Sequence, residues 1–135
     1  MDQDIWGKCT WVLIHSIAVN YPNNPSPIEK ETTKKFYTLL GEVLPCLYCR
    51  QHYQNNIKIL PINVESKMQL LDWTINLHNM VNESLGKRVL SREEALKRII
   101  SMYKKYPDNP EGYLFIYLGS LLIFLVILVF IIKKN

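Results

Sequence analysis

Cysteine is scarce in this chain of 135 residues: only Cys9, Cys46 and Cys49 are present. So few cannot build the disulfide framework of a small secreted domain. Three histidines offer little more to a metal, since a structural zinc site takes four ligands, usually as two pairs. Cys46-x2-Cys49-x2-His52 has no second pair to complete it, so no metal is expected. No alternating apolar–polar run and no hairpin dipeptide marks a strand, which excludes the strand–helix–strand setting of a thioredoxin-type cysteine pair. There is no internal repeat and no low-complexity tract. A strong charge of one sign is also missing. The net +4 is spread among acids, as in Glu29-Lys30-Glu31 and Arg92-Glu93-Glu94, which suits solvated helix surfaces and excludes a nucleic-acid-binding stripe. The opening Met1-Asp2-Gln3-Asp4 is acidic and no apolar run follows it, so nothing there resembles a secretory signal.

One long apolar run does occur. Residues 113–132, YLFIYLGSLLIFLVILVFII, carry no charge. As a helix they would extend roughly 30 Å, the thickness of a bilayer's hydrocarbon core, so the expectation is a C-terminal transmembrane helix. Lys97, Arg98, Lys104 and Lys105 precede it and Lys133 and Lys134 follow; this mild bias leaves the front domain on the cytosolic side. The reading is a tail-anchored, single-pass chain. Its parts are a helical domain over 1–106, a linker over 107–112, the anchor over 113–132 and a short basic tail over 133–135.

The front domain reads as helices joined by short connectors. Ser26-Pro27-Ile28-Glu29, Ser66-Lys67-Met68-Gln69 and Ser91-Arg92-Glu93-Glu94 each place Glu or Gln three residues after a serine, the capping-box pattern. Tyr21-Pro22-Asn23-Asn24-Pro25 ends the first helix, Gly86 caps the fourth, and Pro107-Asp108-Asn109-Pro110 closes the domain. Helices are expected near 4–20, 28–43, 45–59, 66–85 and 91–105. Leu70, Trp73, Leu77, Val81 and Leu85 form one apolar stripe on the fourth. The fold class is all-α, a small four- or five-helix bundle followed by the membrane helix.

Chemistry centres on Pro45-Cys46-Leu47-Tyr48-Cys49. With proline at the first helical position, both sulfurs would fall in a helix's first turn. There the unpaired N–H groups and the helix dipole favour a thiolate, and two thiols so close can form a disulfide and pass electrons on. On the first helix Lys8, Trp11 and His15 share a face behind Gly7, whose missing side chain permits close approach. Lysine would attract a phosphate, and the rings would suit a flat heteroaromatic group. A core Trp11 with a satisfied His15 is the plainer account. On the fourth helix His78, Asn79 and Asn82 cluster behind the apolar stripe, with Lys87 past the glycine; they form either a polar network between helices or donors for a ligand. Cys9 reads as a small core residue of the first helix.

These residues together resemble the Erv/ALR family of FAD-linked sulfhydryl oxidases. Gly7-Lys8-Cys9-Thr10-Trp11-Val12-Leu13-Ile14-His15, Tyr21-Pro22, the cysteine pair, and Trp73 through Lys87 (WTINLHNMVNESLGK) match the family's motifs in order. The resemblance implies a helical bundle holding FAD, usually as a homodimer. It implies Trp11 and His15 at the adenine end. Gly7, Lys8, His78, Asn79, Val81, Asn82 and Lys87 would lie along ribose, phosphates or ring. Cys49 would rest against the isoalloxazine with His52 near, and Cys46 would be the outer sulfur that substrate thiols attack. Electrons would pass from a protein dithiol through the pair and FAD to molecular oxygen, giving hydrogen peroxide. Cellular members carry a second, shuttle cysteine pair, and here only Cys9 remains. That stripped-down form is similar to the oxidases of large DNA viruses, which implies a separate dithiol partner, such as a small thioredoxin-like viral protein, and a tail in a virion or precursor membrane. The competing reading is a non-enzymatic, membrane-anchored adaptor whose cysteine pair is structural or binds metal.

Overall fold

Serines and prolines set where the helices begin. This computed structural model describes residues 3–104 and, beyond them, Leu118 and Leu121. Five α-helices run through it: α1 (Gln3–Asn20), α2 (Pro27–Val43), α3 (Leu47–Ile59), α4 (Lys67–Ser84) and α5 (Arg92–Lys104). Ser26 caps α2 through a complete capping box, with Pro27 as its first residue. At α5, Ser91 Oγ accepts from the Glu94 N–H and the Glu94 carboxylate accepts from the Ser91 N–H, which satisfies two end donors reciprocally. Ser66 accepts from the Gln69 N–H, but the Gln69 side chain meets the Ser66 hydroxyl rather than its backbone. Gly86 adopts φ 62°. Its N–H reaches Glu83 O at 3.0 Å and the Lys87 N–H reaches Asn82 O at 2.8 Å, the paired closure of a Schellman stop.

The structure divides into two compact units, residues 1–97 and 98–135. In the first, α1 packs on α4, α2 on α3, and α3 meets α4. Tyr37 of α2 sits where these contacts converge and is fully buried. Its hydroxyl donates to Ile14 O of α1 at 2.9 Å, and its own carbonyl accepts from the Tyr53 hydroxyl of α3 at 2.8 Å. Its ring meets Trp73 of α4 edge-on, with centroids 4.9 Å apart. One aromatic residue thus links four helices, and each buried hydroxyl has a partner, as burial demands. Gly41 allows α2 and α3 to close, because a Cβ there would lie 2.7 Å from Tyr53 Cδ1.

Three expectations change. Pro45 is not the first residue of α3: Leu44 ends α2 in an extended conformation, Cys46 is the N-cap, and α3 starts at Leu47. A residue preceding proline is pushed out of the helical region, so Pro45 separates two helices rather than opening one. The α4 stripe is buried at Leu70, Trp73 and Leu77, half-buried at Val81 and exposed at Leu85, because the end of the helix runs past the residues packed on it. Cys9 is exposed, not core. It lies on the face of α1 opposite Ile14, His15 and Ala18, the positions that α1 buries. Among the described residues no helix is long and apolar enough to cross a membrane; the span expected over 113–132 lies outside them apart from Leu118 and Leu121.

Candidate functional site

The cysteine pair is built into the α2–α3 corner. Arg50 Nε donates to Leu44 O at 2.5 Å, tying the first turn of α3 back to the end of α2. Cys46 and Cys49 form a disulfide with Cα atoms 5.1 Å apart. Cys46 occupies the N-cap position with extended backbone, and its Sγ accepts the Cys49 N–H at 3.1 Å. A sulfur therefore stands where a serine oxygen ordinarily caps a helix. Negative charge on Cys46 would meet that N–H and the positive end of the helix dipole. Leu47 and Tyr48, between the cysteines, are exposed, and the His52 ring lies nearly parallel to Tyr48.

A second cluster joins α1 to α4. Trp11 and His78 stack with centroids 3.9 Å apart and planes 3° from parallel. His15 lies 5.3 Å from His78 and 5.9 Å from Trp11, ring to ring. His15 Nε2 is 3.0 Å from His78 Nδ1, and His15 Nδ1 is 3.1 Å from Thr74 Oγ1. Burial, and after it the neighbouring His78, push His15 down from 6.5 to about 4, so it is neutral at physiological pH.

These pairings run antiparallel, Trp11 with His78 and His15 with Thr74. The start of α1, carrying Gly7 and Lys8, thus falls at the same end of the helix pair as Asn82 and Lys87. Both lysines are exposed. Nothing lies within 4 Å of where a Gly7 Cβ would project, so no described residue makes the close approach expected there. Asn79 serves the fold directly. Its amide donates to Leu90 O at 2.8 Å and accepts the Leu90 N–H at 3.1 Å, pinning the α4–α5 connector. Val81 and Asn82 are half-buried one turn from His78. Among the described residues no group of three His, Cys, Asp or Glu could hold a metal ion.

Two further buried polar residues carry no signature of their own in the sequence: Thr74, inside the Trp73–Lys87 motif, and Asn56, outside every motif. Thr74 stands inside the apolar stripe of α4, and its position four before His78 was the available signal. Asn56 is buried on α3 with its Nδ2 lacking any hydrogen-bond partner. It follows Cys49 by seven residues, two turns along the same face. A buried donor left unpaired is costly, so a ligand that accepts from it would remove a standing penalty.

Residues 8–104 match the Erv1/Alr family. The chain belongs to that family. It is 35% identical over 102 residues to a probable FAD-linked sulfhydryl oxidase of Acanthamoeba polyphaga mimivirus, covering 73% of this chain and 71% of that protein. It is 35% identical over 106 residues to a putative FAD-linked sulfhydryl oxidase of Invertebrate iridescent virus 6, covering 73% and 95%. The chain spans less than half the length of the FAD-linked sulfhydryl oxidase ERV1 of Arabidopsis thaliana, at 46%. Among solved structures, the yeast Erv1 core superposes with a TM-score of 0.70 at 31% identity, over 73% of this chain and 83% of that one.

Proposed function

We propose that this Erv1/Alr-family chain is an FAD-dependent sulfhydryl oxidase that forms disulfide bonds in protein substrates. The observation that carries the reading is the Cys46–Cys49 disulfide at the start of α3, with Cys46 as the cap. The residues present suit FAD. Trp11 and His78 offer flat outer faces to the adenine. Because they touch each other, a ring would stack upon the pair rather than between them. Lys8 and Lys87 supply cations for the diphosphate, with Gly7 and Asn82 at the same end. Cys49, His52 and the unpaired Asn56 amide line the α3 face that would meet the flavin ring.

A substrate thiolate attacks Cys46 Sγ, the Cys46–Cys49 bond breaks, and Cys49 departs as a thiolate. A second substrate thiolate attacks the substrate's own sulfur in that mixed disulfide and expels Cys46. The Cys49 N–H, already donating to Cys46 Sγ, meets the charge that this sulfur acquires. The product is a substrate disulfide, and the chain retains two thiols and the electron pair. FAD, when bound, supplies a two-electron acceptor that returns those thiols to the disulfide and passes the pair to molecular oxygen as hydrogen peroxide. Net, two thiols and oxygen become a disulfide and hydrogen peroxide.

A homodimer is part of the proposal. The outer face of α1 leaves Ile5, Val12 and Leu13 exposed beside Cys9, an apolar surface that a second copy would cover. With one further cysteine in the chain, electrons would arrive from a separate dithiol protein, for which a thioredoxin-like viral partner is the proposed class. The uncharged segment 113–132 would hold the oxidase in a membrane, that of a virion or its precursor, with the domain on the cytosolic side.

Purified protein should be yellow and should consume oxygen when given a dithiol. Cys46→Ser should abolish oxidation of protein thiols while FAD stays bound. A folded, colourless protein that consumes no oxygen refutes the function, and loss of flavin from Cys46→Ser refutes the placement of the two sulfurs.

A further inference from the structure

Thr74 is completely buried on α4, and its oxygen has two close neighbours. Oγ1 lies 2.8 Å from Leu71 O and 3.1 Å from His15 Nδ1. A hydroxyl has one proton to donate. Two oxygens 2.8 Å apart repel unless a proton lies between them, so the Thr74 hydroxyl donates to Leu71 O. Its lone pair then faces His15, and Nδ1 of that ring must carry the proton. A neutral His15 keeps only one N–H, which leaves Nε2 without one. That nitrogen, 3.0 Å from His78 Nδ1, accepts the proton of the second ring.

We infer that Thr74 is a positioning residue that sets the tautomer of His15 and, through it, holds the His78 ring by Nδ1 in the stack on Trp11 that would meet the dinucleotide. The chain of donors runs one way: His78 to His15, His15 to Thr74, Thr74 to Leu71 O. His15 is thereby held in the Nδ1–H form, and the His78 ring is oriented where it stacks on Trp11. This inference rests on the FAD reading for the identity of its ligand, but the tautomer is a property of the protein alone.

Long-range proton–nitrogen correlation spectra of the flavin-free full chain, labelled at histidine, read the tautomers directly. Only three histidines contribute, and His52→Gln assigns the third. The expected result is the Nδ1–H form of His15, lost in Thr74→Val. FAD titrated into the same proteins, followed by flavin fluorescence, should bind Thr74→Val roughly tenfold more weakly, the worth of about one hydrogen bond. Thr74→Ser, which keeps the hydroxyl, should restore both readouts. An Nε2–H form of His15 in the unmutated protein overturns the inference, a measurement that needs no variant to fold. So does equal FAD affinity in Thr74→Val and the unmutated chain. If the unmutated chain binds no FAD while the His15 tautomer is as described, it is the functional reading that fails, and with it the ligand assigned to His78.

Discussion

Replacing Gly41 by alanine sets helix propensity against packing, and the distances around it decide which prevails. Within a helix, glycine to alanine gains up to about 1 kcal/mol, less here because Gly41 is two residues from the end of α2. Against that, the new Cβ would lie 2.7 Å from Tyr53 Cδ1, 3.2 Å from Cε1 and 3.3 Å from Gln54 Cγ. Ordinary carbon contacts sit near 3.5–4.0 Å, so the ring must retreat by about 1 Å. Tyr53 is buried and its hydroxyl donates to Tyr37 O, so the ring has nowhere to go without straining the hydrogen bond that joins α2 to α3. Overpacking of this kind costs about 1–3 kcal/mol. The expected net loss is about 1–2 kcal/mol, measured by urea unfolding followed by circular dichroism. In a Tyr53→Leu background, where the clashing ring edge is absent, Gly41→Ala should become neutral or stabilising. Because Tyr53 lies one turn after Cys49, the displaced helix should also slow dithiol oxidation. A Gly41→Ala protein at least as stable as the parent would refute the close helix contact.

Acid should weaken the fold through His15. Its folded value is depressed from 6.5 to about 4, so its contribution is complete above pH 6.5 and is lost as pH falls towards 4, by about 3 kcal/mol in all; a His15→Gln protein should lose this slope, and an unmutated profile flat across that range would count against a buried neutral imidazole. Asn56→Leu removes an unpaired buried donor, so the flavin-free protein should gain about 1 kcal/mol or more in urea unfolding while FAD binding weakens. Destabilisation without any change in FAD affinity would show that the amide serves the fold. Asn79→Ala severs both hydrogen bonds to Leu90 and should cost about 2 kcal/mol in the same assay. Unchanged stability with weaker flavin binding would instead make Asn79 a ligand contact.

The chain's local chemistry determined a good deal unaided. Helix starts and stops were legible because capping is decided within four residues: Ser26, Ser66, Ser91 and Gly86 act where their neighbours in sequence demand it. The cysteine pair was legible for the same reason, since its spacing alone brings the sulfurs within bonding reach. What needed the tertiary structure was every choice between faces. Whether Cys9 points into the core, whether Pro45 opens a helix or divides two, and where the α4 stripe meets water all depend on which helix lies opposite. The partners of Thr74 and Asn79 are likewise set by packing across α1 and the α4–α5 connector, and so is the burial that leaves the Asn56 amide unpaired. A histidine's tautomer is not encoded by its neighbours in the chain; it follows from which lone pair another helix happens to place beside it.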